Sequence, residues 1–308
     1  MIELFCGAAT LCATAKVFGM DSSLAVDKVK KVNARCSVYT LDLTLERDQQ
    51  LLESWIESPL LAWIHIAPVC GTSSRARDIR RFPSDPKPLR SAEQPEGLDG
   101  LSARDSQRVH LANFLYEYTT KVFHLASERE ILVTVENPSN SYYWLTKWVR
   151  ELLLTWVIYF ADFQACMLGS SRNKWTKLIS NFPNIEQMRI ACDGSHSHAD
   201  WGFTFDGTGK QVWATAAESQ YPRKLCIILV QVVIEFLVGQ GLALKPIALD
   251  GPRIDSVFSA QQSKISIGSQ PKPSRIPPVV PDFSKVAIFY IENSSSIHVH
   301  SCQSCRSL

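Results

Sequence analysis

The 308-residue sequence has little net charge, no uninterrupted apolar run of membrane-spanning length and no paired framework of cysteines. Its formal net charge is +2, so any surface for nucleic acid has to come from local clusters of basic side chains. A bilayer requires about 20 apolar residues, whereas the most apolar stretch, from Leu225 to Val238, is shorter and is interrupted by Gln231 and Glu235. We therefore expect a buried helix there and no membrane segment.

The amino-terminal residues and the cysteines favour an intracellular chain. The sequence after Met1 has no basic segment followed by an apolar stretch and a small-residue cleavage site, so we expect no secretory signal. Nine cysteines are scattered along the chain, which favours a reducing compartment where thiols stay free or bind metal.

Apolar strands alternate with helical segments along the first 180 residues. The predicted strands cover residues 1–5, 22–26, 37–41, 60–66, 131–135, 156–164 and 176–180. Helical patterns follow the first strand as far as residue 18 and cover residues 45–58 and 106–127. The alternation predicts a parallel sheet covered by helices on both faces, which is a Rossmann-like α/β fold.

Two residues with catalytic chemistry follow neighbouring predicted strands. The strand at 60–66 stops at Pro68 and is followed by Cys70, and the strand at 131–135 ends at Glu136. In a sheet of dinucleotide-binding topology these strands lie side by side, about 4.8 Å apart. The thiol and the carboxylate would then open into the same site at the carboxyl edge of the sheet. The alternatives are a small buried hydrophobe for the cysteine and an ordinary strand end for the glutamate.

The first strand leads into a turn of small residues, 6–10, that favours an anionic or nucleotide-like ligand. Small side chains let such a ligand approach free backbone N–H groups. Asp27 follows the second strand, where an acidic residue can accept hydrogen bonds from ribose hydroxyls, and Asp42 follows the third.

A basic run lies directly after Cys70. Its candidate nucleic-acid-binding residues are Arg75, Arg77, Arg80 and Arg81, and Lys87 and Arg90 continue it. We interpret the run as a mobile loop that closes over a phosphate backbone, with a solvated charged face as the alternative.

A group of cysteines and histidines has the spacing of metal ligands. Cys192, His196 and His198 lie within seven residues, and Cys166 is the candidate fourth ligand. A tetrahedral structural zinc would suit a stretch too short to bury its own core, and a polar surface loop is the alternative. A second group with such spacing lies at the carboxyl terminus: His298, His300, Cys302 and Cys305.

Taken in order, these segments resemble the conserved blocks of cytosine-5 DNA methyltransferases over about residues 2–240. The Glu-Leu-Phe-Cys-Gly-Ala-Ala segment resembles the first block, whose phenylalanine and glycines hold S-adenosylmethionine. The resemblance implies a Rossmann-like S-adenosylmethionine-dependent methyltransferase sheet with a much reduced target-recognition region. It also implies five cofactor-binding residues: Phe5, Gly7, Asp27 at the ribose, Asp42 at the adenine amine, and Pro68.

The resemblance extends to the catalytic blocks. The Pro-Val-Cys-Gly segment around Cys70 resembles the nucleophile block, and the Val-Glu-Asn segment around Glu136 resembles the Glu-Asn block. The segment around Arg172 resembles the block that supplies a catalytic arginine, with Lys174 and Lys177 as open alternatives. The resemblance implies that the cysteine attacks C6 of a flipped-out cytosine, the glutamate hydrogen-bonds or protonates N3, and the arginine holds the carbonyl oxygen.

The chain departs from the family pattern in ways that resemble divergent members associated with mobile elements. Val69 replaces a proline, Gly71 replaces a glutamine and Ala9 replaces a glycine. The family keeps its target-recognition domain between the Arg172 segment and the last helix. In this chain that interval has only about 40 residues.

We expect four regions. These are an S-adenosylmethionine-binding catalytic domain at 1–180, a reduced recognition segment with the candidate zinc ligands at 181–214, a helix returning to the catalytic domain at 215–244, and a low-complexity, disordered tail at 245–308 with one strand at 286–291.

The function implied is methylation of DNA cytosine at C5, in the nucleus rather than the cytoplasm. A cytosine-5 methyltransferase for tRNA or another RNA, and a catalytically inactive nucleic-acid-binding remnant of a mobile element, are the alternatives. No Asp/Asn-Pro-Pro-Tyr/Phe sequence follows a predicted strand, which argues against an adenine-N6 methyltransferase.

Overall fold

The structure is a computed structural model that describes residues 1–80, 83, 85–205, 208–209, 211–214 and 218–242. Arg81 lies outside these residues, as does the expected tail at 245–308 with its strand and its histidine and cysteine group.

Seven strands form one mixed sheet. They are β1 Ile2–Leu4, β2 Leu24–Asp27, β3 Val38–Thr40, β4 Trp63–Ile66, β5 Leu132–Pro138, β6 Tyr159–Gln164 and β7 Trp175–Ser180. Their spatial order is β3-β2-β1-β4-β5-β7-β6. Strands β1 to β5 run parallel, whereas β7 is antiparallel to both β5 and β6. The predicted pairing of the strands that precede Cys70 and Glu136 is confirmed.

Helices cover both faces of the sheet. They are α1 Thr10–Val17, α2 Glu46–Ile56, α3 Ala103–Glu128, α4 Lys147–Thr155 and α5 Arg223–Gly239. Helices α1 and α5 pack on one face around Trp63 and Leu132, and α2, α3 and α4 pack on the other around Ile64 and Val133. Successive strand residues point to opposite faces, and all four residues of β4 are buried because both of its faces are covered. The predicted Rossmann-like α/β fold is confirmed.

The described helices include none that is both long and apolar enough to traverse a bilayer. The apolar stretch near the carboxyl end of the described chain forms the predicted buried helix, α5, whose side chains pack against α1.

The sequence analysis did not predict α4 or a hairpin of β8 Phe203–Phe205 and β9 Gln211–Trp213. The hairpin and a 3₁₀ helix, Pro183–Met188, lie in the reduced recognition segment expected at 181–214. The hairpin strands have only three residues each, too few for a periodic pattern. The Phe203 and Trp213 rings pack across it, with 4.1 Å between their centroids.

Candidate active site

The carboxyl ends of β4 and β5 meet at one edge of the sheet. Ile66 pairs with Val135 in parallel register, so Glu136 emerges beside the residue that follows β4. The Asn137 side-chain amide donates a hydrogen bond of 3.1 Å to the carbonyl of Pro68, which is buried. This bond ties the segment that carries the candidate nucleophile to the neighbouring strand.

Cys70 is the exposed member of the seven cysteines in the described chain. Although the residue is exposed, the protein atoms packed around its sulphur desolvate the thiol, which raises the pKa of Cys70. The positive charge of Lys174 acts to lower this pKa, and the negative charge of Glu136 acts to raise it. The thiol, the carboxyl and the ammonium group therefore interact at one site.

The loop after the thiol rests on buried polar groups. The Tyr116 hydroxyl donates to the carbonyl of Val69 at 2.7 Å and lies 2.9 Å from Ser73 Oγ. The Arg90 guanidinium, 1% exposed, donates to Thr72 Oγ1 at 2.9 Å. The sequence analysis grouped this arginine with the basic loop, whereas the structure buries it beneath the loop as a support.

One oxygen of the Glu136 carboxyl is held by a chain of hydrogen bonds. The Tyr221 hydroxyl donates to Oε2 at 3.1 Å, so its oxygen accepts from His65 Nε2 at 2.9 Å. Burial lowers the pKa of His65 to about 3, so the ring is neutral and its Nδ1 accepts from Thr134 Oγ1 at 2.8 Å. The Trp63 indole donates to the same hydroxyl at 3.0 Å and ends the chain.

The other oxygen, Oε1, faces a cation. It is buried and has no hydrogen bond from any residue that the structure describes. Lys174 Nζ lies 3.8 Å from it. The carboxyl thus has one oxygen held by a hydrogen bond from Tyr221 and one buried oxygen that none of the described residues hydrogen-bonds.

Arg172 and Lys177, the two other candidates for the catalytic cation, have acidic partners of their own. Arg172 Nη1 donates to Glu218 Oε1 at 3.0 Å, and its Nε donates to the carbonyl of Asp200 at 2.9 Å. Lys177 pairs with Asp162. A catalytic role for Arg172 stays a prediction, and Lys174 is the member of this segment that meets Glu136.

The turn after β1 has an unusual backbone. Phe5, Gly7 and Ala9 have φ angles of +58°, +53° and +54°, a left-handed conformation that residues with side chains rarely adopt. The Gly7 N–H donates to Asp27 Oδ2 at 2.9 Å, while Oδ1 has only a long contact of 3.4 Å with the Val29 N–H. A bent turn beside a carboxylate oxygen with spare accepting capacity fits a ligand that carries ribose hydroxyls.

Asp42 lies after β3 and is more fully engaged. Its carboxylate pairs with Lys28 Nζ at 2.7 Å and accepts from Thr44 Oγ1 at 2.6 Å. Desolvation acts to raise the pKa of Asp42, but the hydrogen bonds from the lysine and the threonine prevail, so the pKa is lowered.

The described arginines of the basic loop bond to the loop itself. The contacts are Arg75 Nε to Asp78 at 3.0 Å, Arg77 Nε to the Gly71 carbonyl at 2.7 Å, and Arg80 Nη2 to the Pro83 carbonyl at 2.8 Å. Each guanidinium has five N–H donors, so these contacts leave donors for phosphate. Nucleic-acid binding by these residues stays a prediction.

A cavity of about 310 Å³ opens beside the carboxyl end of β5. Three cations line it: Arg75, Arg150 and Lys177. A larger cavity of about 470 Å³ lies between α3 and α4, away from this edge, and includes Glu117, Glu128 and Glu151 in its lining. Arg75 and Lys177 are paired with Asp78 and Asp162, whose carboxylates offset part of the positive charge around the smaller cavity.

The four candidate metal ligands come together. Ligand atoms of Cys166, Cys192, His196 and His198 all lie within 4.8 Å of one another. Cys192 Sγ is 3.8 Å from His196 Nε2 and 3.4 Å from His198 Nε2. The cluster joins the turn before β7 to the segment after the 3₁₀ helix at 183–188.

Several residues of the site have weak sequence signals. His65 is the polar residue within an apolar strand pattern, a sign of a buried hydrogen-bonding role. Tyr221 directly precedes the α5 pattern, and nothing in the sequence relates it to Glu136, 85 residues away.

No protein-family model matches the chain, and no curated protein matches it. Among solved structures, similar ones include a candidate DNA modification methyltransferase encoded within a prophage (E. coli), S. pombe Dnmt2 methyltransferase and Entamoeba histolytica methyltransferase EhMeth. Their identities to this chain are 14%, 13% and 11%, and their TM-scores are 0.34, 0.33 and 0.35. The alignments cover 62%, 65% and 64% of this chain and 48%, 61% and 57% of those chains, so this chain spans about half to three fifths of their length.

Proposed function

We propose that the chain is an S-adenosylmethionine-dependent methyltransferase that acts on C5 of cytosine in DNA. The observation that carries the proposal is the geometry of the carboxyl edge: Cys70 and Glu136 follow the paired strands β4 and β5, and Lys174 Nζ lies 3.8 Å from Glu136 Oε1. Covalent activation of a pyrimidine needs a sulphur nucleophile, a proton-sharing carboxyl and a cation that favours the thiolate.

The cofactor would be held by Phe5, Gly7, Asp27, Asp42 and Pro68. When bound, S-adenosylmethionine supplies an electrophilic methyl group. The bent turn after β1 supports this assignment, and so does the spare accepting capacity of Asp27.

In the proposed reaction, the thiolate of Cys70 forms a bond to C6 of the cytosine ring. The electron pair of the C5=C6 bond moves toward the ring nitrogen N3, where Glu136 shares a proton through its free oxygen, Oε1. C5 becomes nucleophilic and would take the methyl group, while the electron pair of the former sulphur–methyl bond would stay on the sulphur of the cofactor. Loss of the proton from C5 to a base and departure of the sulphur then restore the double bond and the free enzyme.

Lys174 would favour the thiolate, since its charge opposes the rise in the pKa of Cys70. It would also lie near the charge that develops on the base. Arg172, bound to Glu218, would hold the segment that carries this lysine.

Tyr221 and His65 would act as positioning residues. Because the hydroxyl donates to Oε2 of Glu136, the shared proton would be directed to Oε1, the oxygen without a hydrogen bond from the described residues. The neutral imidazole fixes which way the tyrosine proton points.

The nucleic-acid substrate would contact the basic loop with Arg75, Arg77, Arg80 and Arg81. The cavity lined by Arg75, Arg150 and Lys177 offers a place for a backbone phosphate beside the catalytic edge. A cytosine inside a duplex must be flipped out before the sulphur can reach C6.

The test is transfer of a labelled methyl group from S-adenosylmethionine to DNA or RNA by the purified chain and by Cys70→Ser. We expect label in DNA cytosine with the natural chain and none with the variant. Label in RNA alone would contradict the DNA substrate and support the RNA alternative. Binding of both nucleic acids without transfer to either would contradict the enzymatic proposal and support an inactive binding protein.

A further inference from the structure

We infer that Cys166, Cys192, His196 and His198 form a tetrahedral zinc site that fastens residues 190–201 to the turn before β7. Two thiols and two imidazoles are a ligand set typical of structural zinc. Their ligand atoms already lie within 4.8 Å of one another.

The distances agree with a shared metal. With Zn–S of about 2.3 Å and Zn–N of about 2.05 Å, a tetrahedral site separates sulphur from nitrogen by about 3.6 Å. The two distances from Cys192 Sγ, 3.8 Å to His196 Nε2 and 3.4 Å to His198 Nε2, lie on either side of this value.

Further polar groups support the ligands. The Gly194 N–H points to Cys192 Sγ at 3.4 Å, as an N–H group does toward a metal-bound thiolate. Asp193 Oδ1 lies 4.0 Å from His196 Nδ1, on the side of the ring away from the sulphur. This distance is too long for a hydrogen bond, so the carboxylate acts on the ring through its negative charge only.

The segment has no apolar core that could order it. Between residues 191 and 200, Ala191 and Ala199 are the apolar side chains other than the cysteine ligand, and both residues are exposed. Fixing a backbone costs conformational entropy, which two exposed alanines cannot offset. A metal that ties four side chains together supplies the missing stabilisation.

The site would stabilise the connection that carries the catalytic cation. The Cys192 N–H donates to Gln164 Oε1 at 2.7 Å, at the end of β6. At the other end of the segment, the Ala199 N–H donates to the Ser171 carbonyl at 2.8 Å, and the Asp200 carbonyl accepts from Arg172. Zinc would therefore fasten both sides of the loop to the β6–β7 connection.

The experiment measures zinc per chain by mass spectrometry of the reduced full-length protein. The Cys302→Ser/Cys305→Ser background removes the second candidate ligand group. We expect about one zinc per chain in this background. Cys192→Ser and His196→Ala should each lower the content at least about tenfold. His110→Ala, which changes an exposed histidine on α3, should leave it unchanged.

Cobalt provides a readout that does not depend on the variants folding. Co²⁺ added to the zinc-free protein should give the intense visible bands of a tetrahedral site and a sulphur-to-metal band in the near ultraviolet. Removal of the metal should speed hydrogen exchange in residues 190–201 and leave β4 and β5 unchanged. Metal content at background, or zinc retained by both ligand variants, would overturn the inference. None of these outcomes depends on methyl transfer.

Discussion

The edge of β4 and β5 and the connection between β6 and β7 hold their polar groups in different ways. At the first, a hydrogen bond from Tyr221 fixes Glu136 inside the core, and His65 in turn fixes the tyrosine. These partners are buried, so they have one arrangement that satisfies their hydrogen bonds. At the second, the Arg172–Glu218 pair is largely buried, but the segment that it meets is exposed, as is Trp201, whose indole donates to Asn173 at 3.1 Å. A buried network suits chemistry that needs one geometry, whereas a polar connection can vary without disturbing the core.

The largest effect in this comparison should come from Glu136→Gln. The amide cannot share a proton with the ring, so kcat for methyl transfer should fall by about 10²–10⁴-fold. Glu57→Gln, at the carboxyl end of α2, is the matched control and should keep full activity. Steady-state kinetics measure the effect, and a variant that keeps most of its kcat would remove Glu136 from the mechanism.

Lys174→Met should have the next largest effect, roughly 10²-fold on kcat. The direction in which Lys174 shifts the pKa of Cys70 can be checked without turnover. The measurement is the rate at which iodoacetamide alkylates Cys70 at each pH. Alkylation needs the thiolate, so the rate rises with pH through the pKa of the thiol, which burial raises above its ordinary value. Removing the ammonium group should move this profile to still higher pH, and Glu136→Gln should move it to lower pH.

Peptide mass spectrometry assigns the alkylation to Cys70, and Lys121→Met serves as the control. A profile that stays in place in Lys174→Met would show that this lysine does not act on the thiol.

Tyr221→Phe should lower kcat by about tenfold with KM unchanged, because a hydrogen bond to a charged group contributes about 1.5 kcal/mol. The acid limb of the rate profile should also move, which loss of packing alone would not cause. Tyr118→Phe is the control, since that hydroxyl contacts the Gln49 carbonyl on the outer helices. An unchanged kcat would show that the series of hydrogen bonds from Trp63 to Glu136 has a structural role only.

The smallest effect should follow Glu218→Gln in the polar connection. The amide oxygen can still accept from Arg172 Nη1, so the variant only weakens the hold on this largely buried arginine, and we expect KM for DNA to rise about threefold with little change in kcat. Binding and steady-state assays with Glu151→Gln as the control measure this. A large loss of kcat would mean that the connection is as integral to the chemistry as the β4–β5 edge.

The sequence predicted features that depend on local pattern or on the geometry of parallel strands. Cys70 and Glu136 follow two apolar runs, and the pairing of those runs is a property of the fold class. The spacing of Cys192, His196 and His198 is local, and the structure brings them together with Cys166.

The remaining features depend on tertiary packing. Tyr221 reaches His65 across 156 residues because of how α5 packs on the sheet, which no periodicity reveals. The sequence also could not choose among Arg172, Lys174 and Lys177, since they lie at the start of a strand where a shift of one residue changes the direction of a side chain. Arg90 belongs to a basic segment whose composition is typical of a surface loop, yet its side chain is buried like a core residue.

The most direct test of the central claim is to trap the bond between Cys70 and the base. In DNA with fluorine at C5 of the target cytosine, the last step cannot proceed, because fluorine cannot leave as a cation in place of the proton. With S-adenosylmethionine present, we predict a denaturant-stable protein–DNA adduct that peptide mass spectrometry maps to Cys70. An adduct at another residue, or none from a chain that binds both the DNA and the cofactor, would contradict the account.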